Sequence, residues 1–585
     1  MDQKLTEKRH TLAHLLAAAI RYDFPHAKPT IGPAIDNGFY YDFDFSGGSI
    51  PTDADLTRIE KKMRSLLPLW KEFTHVSVTP ETAREQFNQN PYKTELINEL
   101  GEKGEAITLY TIGENHAQFT DLCRGGHSES PASDIASDSF TLTSVAGAYW
   151  RGDEKNAMLT RIYGLAFHTK EELDAYVTQA EEAKKRDHKK LGIELDLFSF
   201  SPLVGPGLPL WSPRGTLMRT LLDEYVWRLR EKAGYERVEI PHITKKELYI
   251  TSGHWDKFKD ELFRITTREG HEFAMKPMNC PHHTQIYARK MWSYRELPQR
   301  YANSTTCYRD EQSGELSGLS RVRAFTQDDA HVFCRMSQVR EEFLKIWDIV
   351  HTFYGAFGFK LRVRISKHDP SNKDAYLGGS EQWLLAEGIL EEIAKEKNAD
   401  SFIGVGEAAF YGPKLDFMAK DALGREWQVA TIQLDMNMPE RFDLTCVNEK
   451  GEKERIVMIH AAIMGSIERF MGILIEHTGG NFPIWLAPEQ IRIIPVAEAH
   501  REYAKQIYDE LTGIHIRATL DDNDESLGKR IRGAKTSKLP YFVVVGDKEV
   551  EAKNVTLESR AGVSQQLSLS VLGNHLLAEI DTKTL

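Results

Sequence analysis

No apolar run in the 585-residue sequence approaches the roughly 20 residues needed to cross a bilayer, and there is no low-complexity tract and no internal repeat. No GxxxxGK[ST] phosphate loop is present and no GxGxxG follows a strand pattern, so neither of the two common nucleotide-binding loops is indicated. Cysteines are sparse: Cys123, Cys280, Cys307, Cys334 and Cys446 form no CxxC pair, which gives no disulfide framework and suits a reducing compartment. Positive charge is in deficit. A formal net charge of −12 argues against a protein that coats nucleic acid non-specifically, though not against a local basic surface that reads one RNA. No secretory leader is expected either, because His14 interrupts the apolar stretch from Leu12 to Ile20 and acidic Asp2 and Glu7 sit where basic residues belong. With 41% hydrophobic and 27% charged residues the composition is that of a soluble enzyme, and the cytoplasm is the expected location.

At this length one core does not suffice, and three or four domains are expected. The first region, 1–170, mixes short strands and helices; Phe39 to Phe45 alternates like a strand and Ser46-Gly47-Gly48-Ser49 marks a turn after it. Residues 171–193 are rich in Glu, Lys and Arg with few apolar positions and read as an exposed linker helix. The central region, 194–482, alternates helical and strand patterns without the rhythm of a parallel βαβ sheet. In the last region, 483–585, Ile491–Val496 and Tyr541–Gly546 read as buried strands of a small α/β domain.

Chemistry concentrates in the central region. Tyr308-Arg309-Asp310-Glu311 and Arg321-Val322-Arg323-Ala324-Phe325 flank a glycine-containing loop. Two strands so joined put an arginine at each mouth, where guanidinium forks can grip phosphates. A further arginine, Arg469, follows Gly465-Ser466-Ile467-Glu468. Singly, each arginine is more often a surface or ion-pair residue. Together they resemble motifs 2 and 3 of the class II aminoacyl-tRNA synthetases, and Ala233-Gly234-Tyr235-Glu236-Arg237-Val238-Glu239-Ile240-Pro241 resembles motif 1. Lys535-Thr536-Ser537-Lys538 is superficially similar to the KMSKS loop of class I enzymes, but no HxGH partner lies upstream.

Within class II the resemblance narrows to the threonine–tRNA ligases. It is carried by Met275-Lys276-Pro277-Met278-Asn279-Cys280-Pro281, Phe325-Thr326-Gln327-Asp328-Asp329-Ala330-His331, Phe410-Tyr411-Gly412-Pro413-Lys414 and Met458-Ile459-His460, and it spans essentially the whole chain. It implies an α+β multidomain fold: an N-terminal α+β editing domain, an antiparallel-sheet catalytic domain and a C-terminal α/β anticodon-binding domain. It also implies zinc, one ion per subunit, on Cys280, His331 and His460, whose spacing alone says nothing. Three protein ligands leave zinc an open position, as in functional sites. Threonine offers a hydroxyl that valine lacks, whereas an apolar pocket separates such isosteres by only about 10²-fold. Gln327, Asp329 and Tyr411 match residues that orient the substrate.

For ATP, bound with Mg²⁺, the resemblance places Arg309 at the α-phosphate, Arg469 at the γ-phosphate and Phe325 against adenine, with Glu311, Arg321, Gln428, Thr431 and Gln433 lining the nucleotide site. His254 matches a position that helps deprotonate the tRNA's terminal ribose hydroxyl; a structural role is the equal alternative. L-threonine and tRNA(Thr) are the remaining partners, and motif 1 implies a homodimer.

Serine carries both of the groups zinc would read, and a missing methyl is worth only about 1–3 kcal/mol. A second, hydrolytic site is therefore expected. His10 and His14 share a helical face, and Cys123 and His127 form a second spaced pair. A generic metal site is the ordinary reading of four such residues. With Tyr41, Lys93 and Asp121 they resemble the editing pocket of the family, expected to hydrolyse Ser-tRNA through an activated water. Three departures stand out. Gly126 replaces a usual proline, the sequence begins directly at the editing domain without the ubiquitin-like domain common in bacterial forms, and Glu558 stands where an anticodon-reading arginine is usual. Glu549, in a segment matching the anticodon-binding strand, is the remaining candidate reader, and Lys529, Arg530, Arg532, Lys535 and Lys538 offer a basic surface. Two rival readings exist. A metal-dependent hydrolase leaves both arginine motifs unexplained, and a non-catalytic RNA-binding paralogue would be expected to have lost Arg309, Arg469 or a zinc ligand.

Overall fold

Asp2 accepts a hydrogen bond from the Leu5 amide and so caps α1 (Gln3–Asp23), which buries Leu12, Ala13, Leu15, Leu16, Ala19 and Ile20. The computed structural model describes residues 2–583, which divide into two units between Glu181 and Glu182.

In the first unit, β1 (Gly38–Asp44) is the strand expected from its alternation and carries Tyr41. After it come β2 (Phe73–Val78), α2 (Pro91–Glu102), β3 (Ile107–Ile112), β4 (Phe119–Leu122), β5 (Phe140–Tyr149) and β6 (Met158–Ala166). β1, β6 and β5 form the body of an antiparallel five-stranded sheet, and β2, β3 and β4 form a separate three-stranded one. Helix α1 lies against β1, and its apolar side forms one core with Phe39, Tyr41, Phe43 and Phe140.

The charged stretch read as one exposed helix is two. α3 (Lys170–Arg186) buries only Leu173, and Asp187 breaks the chain by capping α4 (His188–Glu194) through the Lys189 amide at 2.8 Å. α4 is not exposed: His188, Leu191 and Gly192 are buried.

The second unit is built on an eight-stranded sheet. After α5 (Pro213–Lys232) its strands are β7 (Glu236–Arg237), β8 (Gln299–Tyr308), β9 (Ala324–Cys334), β10 (Leu361–Lys367), β11 (Ser401–Val405), β12 (Lys414–Lys420), β13 (Glu426–Asp435) and β14 (Val457–Ser466). They are ordered β7-β8-β9-β14-β13-β12-β10-β11, antiparallel throughout except at the two edge pairs. Helices α6 (Val339–Gly355) and α7 (Ile467–Thr478) contribute to the core of this sheet. α6 buries Phe343, Ile346, Trp347, Val350, Phe353 and Tyr354, the spacing of a helix with one apolar side.

Between β9 and β14 the register slips, so that Ala462, Ile463 and Met464 oppose Asp329 alone. Side chains take up the backbone groups of the bulge at Ile463 and Met464. Asp328 accepts the Ile463 and Met464 amides at 2.9 and 2.6 Å, and the Tyr354 hydroxyl donates to the Ile463 carbonyl at 2.8 Å. Buried Asp328 is paired in turn with buried Arg230 of α5. Bulges re-aim the residues beyond them, and here those residues lead to Arg469.

The last region carries a five-stranded sheet in which the two sequence-predicted strands, Ile491–Pro495 and Tyr541–Val545, pair in parallel. Residues Asp547–Ala552 form a short helix, not the strand expected for this segment. Glu549 explains it: its carboxylate accepts the Gly546 amide at 3.0 Å and the Thr556 hydroxyl at 2.9 Å, closing the first turn.

Candidate functional sites

Sheet register brings distant residues together. Tyr301, His331, His460, Gln433 and Lys414 are successive cross-strand partners on β8, β9, β14, β13 and β12. Cross-strand partners share a face, so one row crosses the sheet. His331 and His460 therefore meet, with His331 Nε2 3.1 Å from His460 Nδ1. Cys280 starts the helix Cys280–Tyr287, and its sulfur and the two imidazoles offer donor atoms all within 4.8 Å of one another, every one of these residues buried.

The surroundings suit a cation. His460 Nε2 is 2.9 Å from Asp435 Oδ2, and His331 Nδ1 is 2.7 Å from His283 Nδ1. An imidazole whose second nitrogen is bound by a carboxylate is the arrangement that orients a metal ligand. Burial pushes the Cys280 thiol well above its usual range and the His331 imidazole well below, so burial favours the neutral form of both groups. One thiol and two imidazoles are a donor set for zinc with an open position.

Above this cluster lies a cavity of about 430 Å³ lined by Gln327, Asp329, Tyr411, Gln428, Thr431, Gln433, His460, Arg309 and Arg469, among others. Burial pushes Asp329 up to about 6, and its Oδ2 accepts the Asn279 amide at 3.1 Å. The Tyr411 ring sits 4.9 Å from that of His460. Arg309 lies over both Phe258 and Phe325, 5.2 Å from each ring centre, and its Nε has no hydrogen-bond partner among the described residues. Arg469 is half-buried, burial lowers its pKa, and no carboxylate pairs with its guanidinium among the described residues. Two arginines so placed are prepared for an anion.

Glu311, Arg321 and Phe325 stand outside the cavity lining. Arg321 is paired with Glu311 at 2.8 Å. His254 is wholly buried: its Nδ1 is 2.9 Å from Ser252 Oγ, its Nε2 3.7 Å from the Cys280 sulfur, and burial pushes its pKa down to about 3. Sequence reasoning missed Asp416. Fully buried, it gathers Gln428 and Thr431 at 2.8 Å each, Arg364 at 2.9 Å and Lys414 at 3.0 Å. A lone acid in the apolar run Leu415–Phe417 was the available signal.

The first unit has its own cavity, about 400 Å³, lined by His10, His14, Lys93, Asp121 and Cys123. Tyr41 donates to Asp121 at 2.5 Å and buried Lys93 pairs with Asp121 at 2.6 Å. Gly125 and Gly126, at φ +92° and +80°, turn the chain so that His127 Nε2 comes 3.3 Å from the Cys123 sulfur, while Gly126 O meets His10 Nδ1 at 3.2 Å. Proline is confined to negative φ, so glycine gives this loop its own course. Burial pushes Cys123 up to about 11, and burial with the neighbouring His14 and His10 pushes His127 down to about 2. All four groups, His10, His14, Cys123 and His127, lie within 4.8 Å of one another.

The basic surface is smaller than the sequence suggested. Arg530 is buried and donates to the Asp521 carbonyl, Lys538 donates to the Gly479 carbonyl, and Lys529 and Lys535 pair with Glu525 and Glu558. Glu558 thus has Lys535 at 2.9 Å.

Residues 263–478 match the tRNA synthetase class II core domain (G, H, P, S and T), and residues 490–578 match the anticodon binding domain. The threonine–tRNA ligase of Flavobacterium johnsoniae is 50% identical over 94% of this chain and 84% of its own. Among solved structures, the RNA binding domain of threonyl-tRNA synthetase from Cryptosporidium parvum superposes with a TM-score of 0.64 at 36% identity, over 68% of this chain and 98% of that one. A putative threonyl-tRNA synthetase from Aeropyrum pernix superposes with a TM-score of 0.60 at 31% identity, over 68% and 97%. No described helix is long and apolar enough to cross a membrane. With half its residues identical to a curated relative over nearly its whole length, and with a class II core and an anticodon-binding domain both present, the chain belongs to the threonine–tRNA ligase family of class II aminoacyl-tRNA synthetases.

Proposed function

We propose that the central cavity activates threonine with ATP and passes it to tRNA(Thr), and that Cys280, His331 and His460 hold the zinc ion that selects the amino acid. The observation that carries this reading is the stacking of three features in one place: a buried donor set, Asp329 beside it, and two arginines lining the cavity, Arg309 with only a 4.0 Å approach from Glu261 and Arg469 with no carboxylate partner among the described residues. When bound, zinc supplies an open Lewis-acid position for the amino nitrogen and hydroxyl of threonine. Asp329 accepts a proton from the substrate's amine or hydroxyl, and Gln327 and Tyr411 close the pocket around it. Arg309 and Arg469 neutralise the α- and γ-phosphates of ATP held with Mg²⁺, with Phe325 against the adenine and Glu311, Arg321, Gln428, Thr431 and Gln433 around the nucleotide. Catalysis of the in-line attack on the α-phosphorus is then mainly positioning and charge neutralisation. For His254, burial against Cys280 favours support of the pocket over proton transfer.

The first-unit cavity is assigned to hydrolysis of Ser-tRNA. With Cys123 and His127 both neutral at pH 7, a thiolate nucleophile is disfavoured, and water polarised by His10, His14 and the Lys93–Asp121–Tyr41 group is the better agent. Regions 1–170, 171–193, 194–482 and 483–585 serve as editing domain, linker, catalytic domain and anticodon-binding domain, with Glu549 the anticodon reader, in a cytoplasmic homodimer. Threonine-dependent exchange of pyrophosphate into ATP, measured with threonine, serine and valine, tests the reading. Activity with threonine and serine but not valine is expected; equal activity with valine would exclude a hydroxyl-selecting metal.

A further inference from the structure

We infer that His188 is a positioning residue for the ATP-gripping loop between β8 and β9, seating that loop on the helix that precedes the catalytic sheet. His188 lies on α4, outside both cavities, and is buried. Its Nε2 is 3.0 Å from the Leu319 amide, at the tip of the loop, and its Nδ1 is 2.6 Å from Glu476 Oε1 near the end of α7. An amide can only donate, so Nε2 is the acceptor and Nδ1 carries the proton that goes to Glu476. Glu476 also pairs with Arg425 at 2.5 Å, which fixes the carboxylate from its other side.

His188, Glu476 and Asp187 have donor atoms close enough for a metal. With one imidazole nitrogen accepting an amide and the other donating to a carboxylate, neither is free to ligate. The group is a clamp.

The loop is shaped to this seat. Leu319 is fully buried, and Ser317 and Arg321 pair across the tip, the Ser317 amide donating to the Arg321 carbonyl at 3.1 Å. Gly318 between them has φ +50°, and a Cβ there would come 2.3 Å from His188 Nε2 and 2.8 Å from Lys189 Cγ. Only glycine lets the tip approach α4 this closely. Arg321, two residues on from the clamped amide, is thereby held against Glu311 at 2.8 Å. The inference rests on the assignment of Arg321 to ATP.

The test uses three substitutions of the full-length enzyme. Gln places an acceptor near the Nε2 position, Asn places a donor near Nδ1, and Ala removes both. If His188 seats the loop, H188A and H188N raise the KM for ATP about tenfold in pyrophosphate exchange, leave the KM for threonine within about twofold, and speed tryptic cleavage after Arg321. H188Q stays near the parent. If all three folded variants share one KM for ATP, or if Gln fails as Ala does, the seat is overturned. R321A separates the two claims. A raised KM in R321A beside an unchanged H188A sinks the seat alone, and an unchanged R321A sinks the ATP assignment and the seat with it.

Discussion

His331 and His460 lie directly opposite each other on adjacent strands, with Nε2 of the first 3.1 Å from Nδ1 of the second. Nothing in their separation along the chain brings them together; the antiparallel register does. Each has a buried partner on its other nitrogen, His283 for one and Asp435 for the other. The pair and Cys280 form the floor under Asp329, so amino-acid selection and metal binding share one set of supports.

Asp329→Asn keeps the shape of the side chain and its Asn279 contact while removing the charge. The KM for threonine is expected to rise by a factor of about 10–100, the worth of a charged hydrogen bond, with the KM for ATP little changed. Exchange kinetics with each substrate varied in turn provide the check.

Arg469→Ala removes a cation that no carboxylate of the described chain engages. Because, among the described residues, only the long contact with the Trp427 ring, 5.9 Å from its centre, is lost, thermal stability should hold, while kcat for adenylate formation falls by about 10²–10³ as for loss of a transition-state charge contact. A single-turnover assay beside a melting curve separates the two.

Cys123→Ala with His127→Ala is expected to let Ser-tRNA accumulate without changing threonine activation. The pH behaviour is specific as well. Folded His127, pushed down to about 2 from an ordinary 6.5, stays neutral through the range in which an unfolded imidazole gains its proton. The unfolded chain therefore binds more protons below pH 6.5, and this contribution to stability is present above that pH and lost as pH falls. The melting temperature of the first unit should drop on acidification from pH 7 to 5, and less steeply in His127→Gln.

Asp328→Ala strands Arg230 in the interior and frees the Ile463 and Met464 amides. A loss of about 3–5 kcal/mol is expected, the usual result of breaking a buried pair from one side, read as a shift in denaturant midpoint. Arg230→Met with Asp328→Leu, which removes both charges, should recover part of it.

Legibility in the sequence depends on how locally each feature is encoded. β1 declares itself through alternating apolar residues, the two C-terminal parallel strands through continuous ones, and the arginines through two strands and a loop. Helix α4 does not, because only three of its residues face inward and the charges around them dominate the pattern. The short helix Asp547–Ala552 stays hidden for a similar reason: a carboxylate that closes a helical turn looks the same in sequence as one on a strand. The resemblance to the ligases supplied Cys280, His331 and His460, but Asp416, Asp435, His283 and Asp328 emerge only once sheet register is known. Their partners lie on other strands or a distant helix, and a sequence holds no distances.

The most direct measurement is anomalous diffraction at the zinc edge from crystals grown with threonine. One strong peak is expected among the Cys280 sulfur, His331 Nε2 and His460 Nδ1, at about 2.0–2.3 Å from each, with threonine density reaching it. No peak there, or a peak only among His10, His14, Cys123 and His127, would contradict zinc as the selector of the hydroxyl.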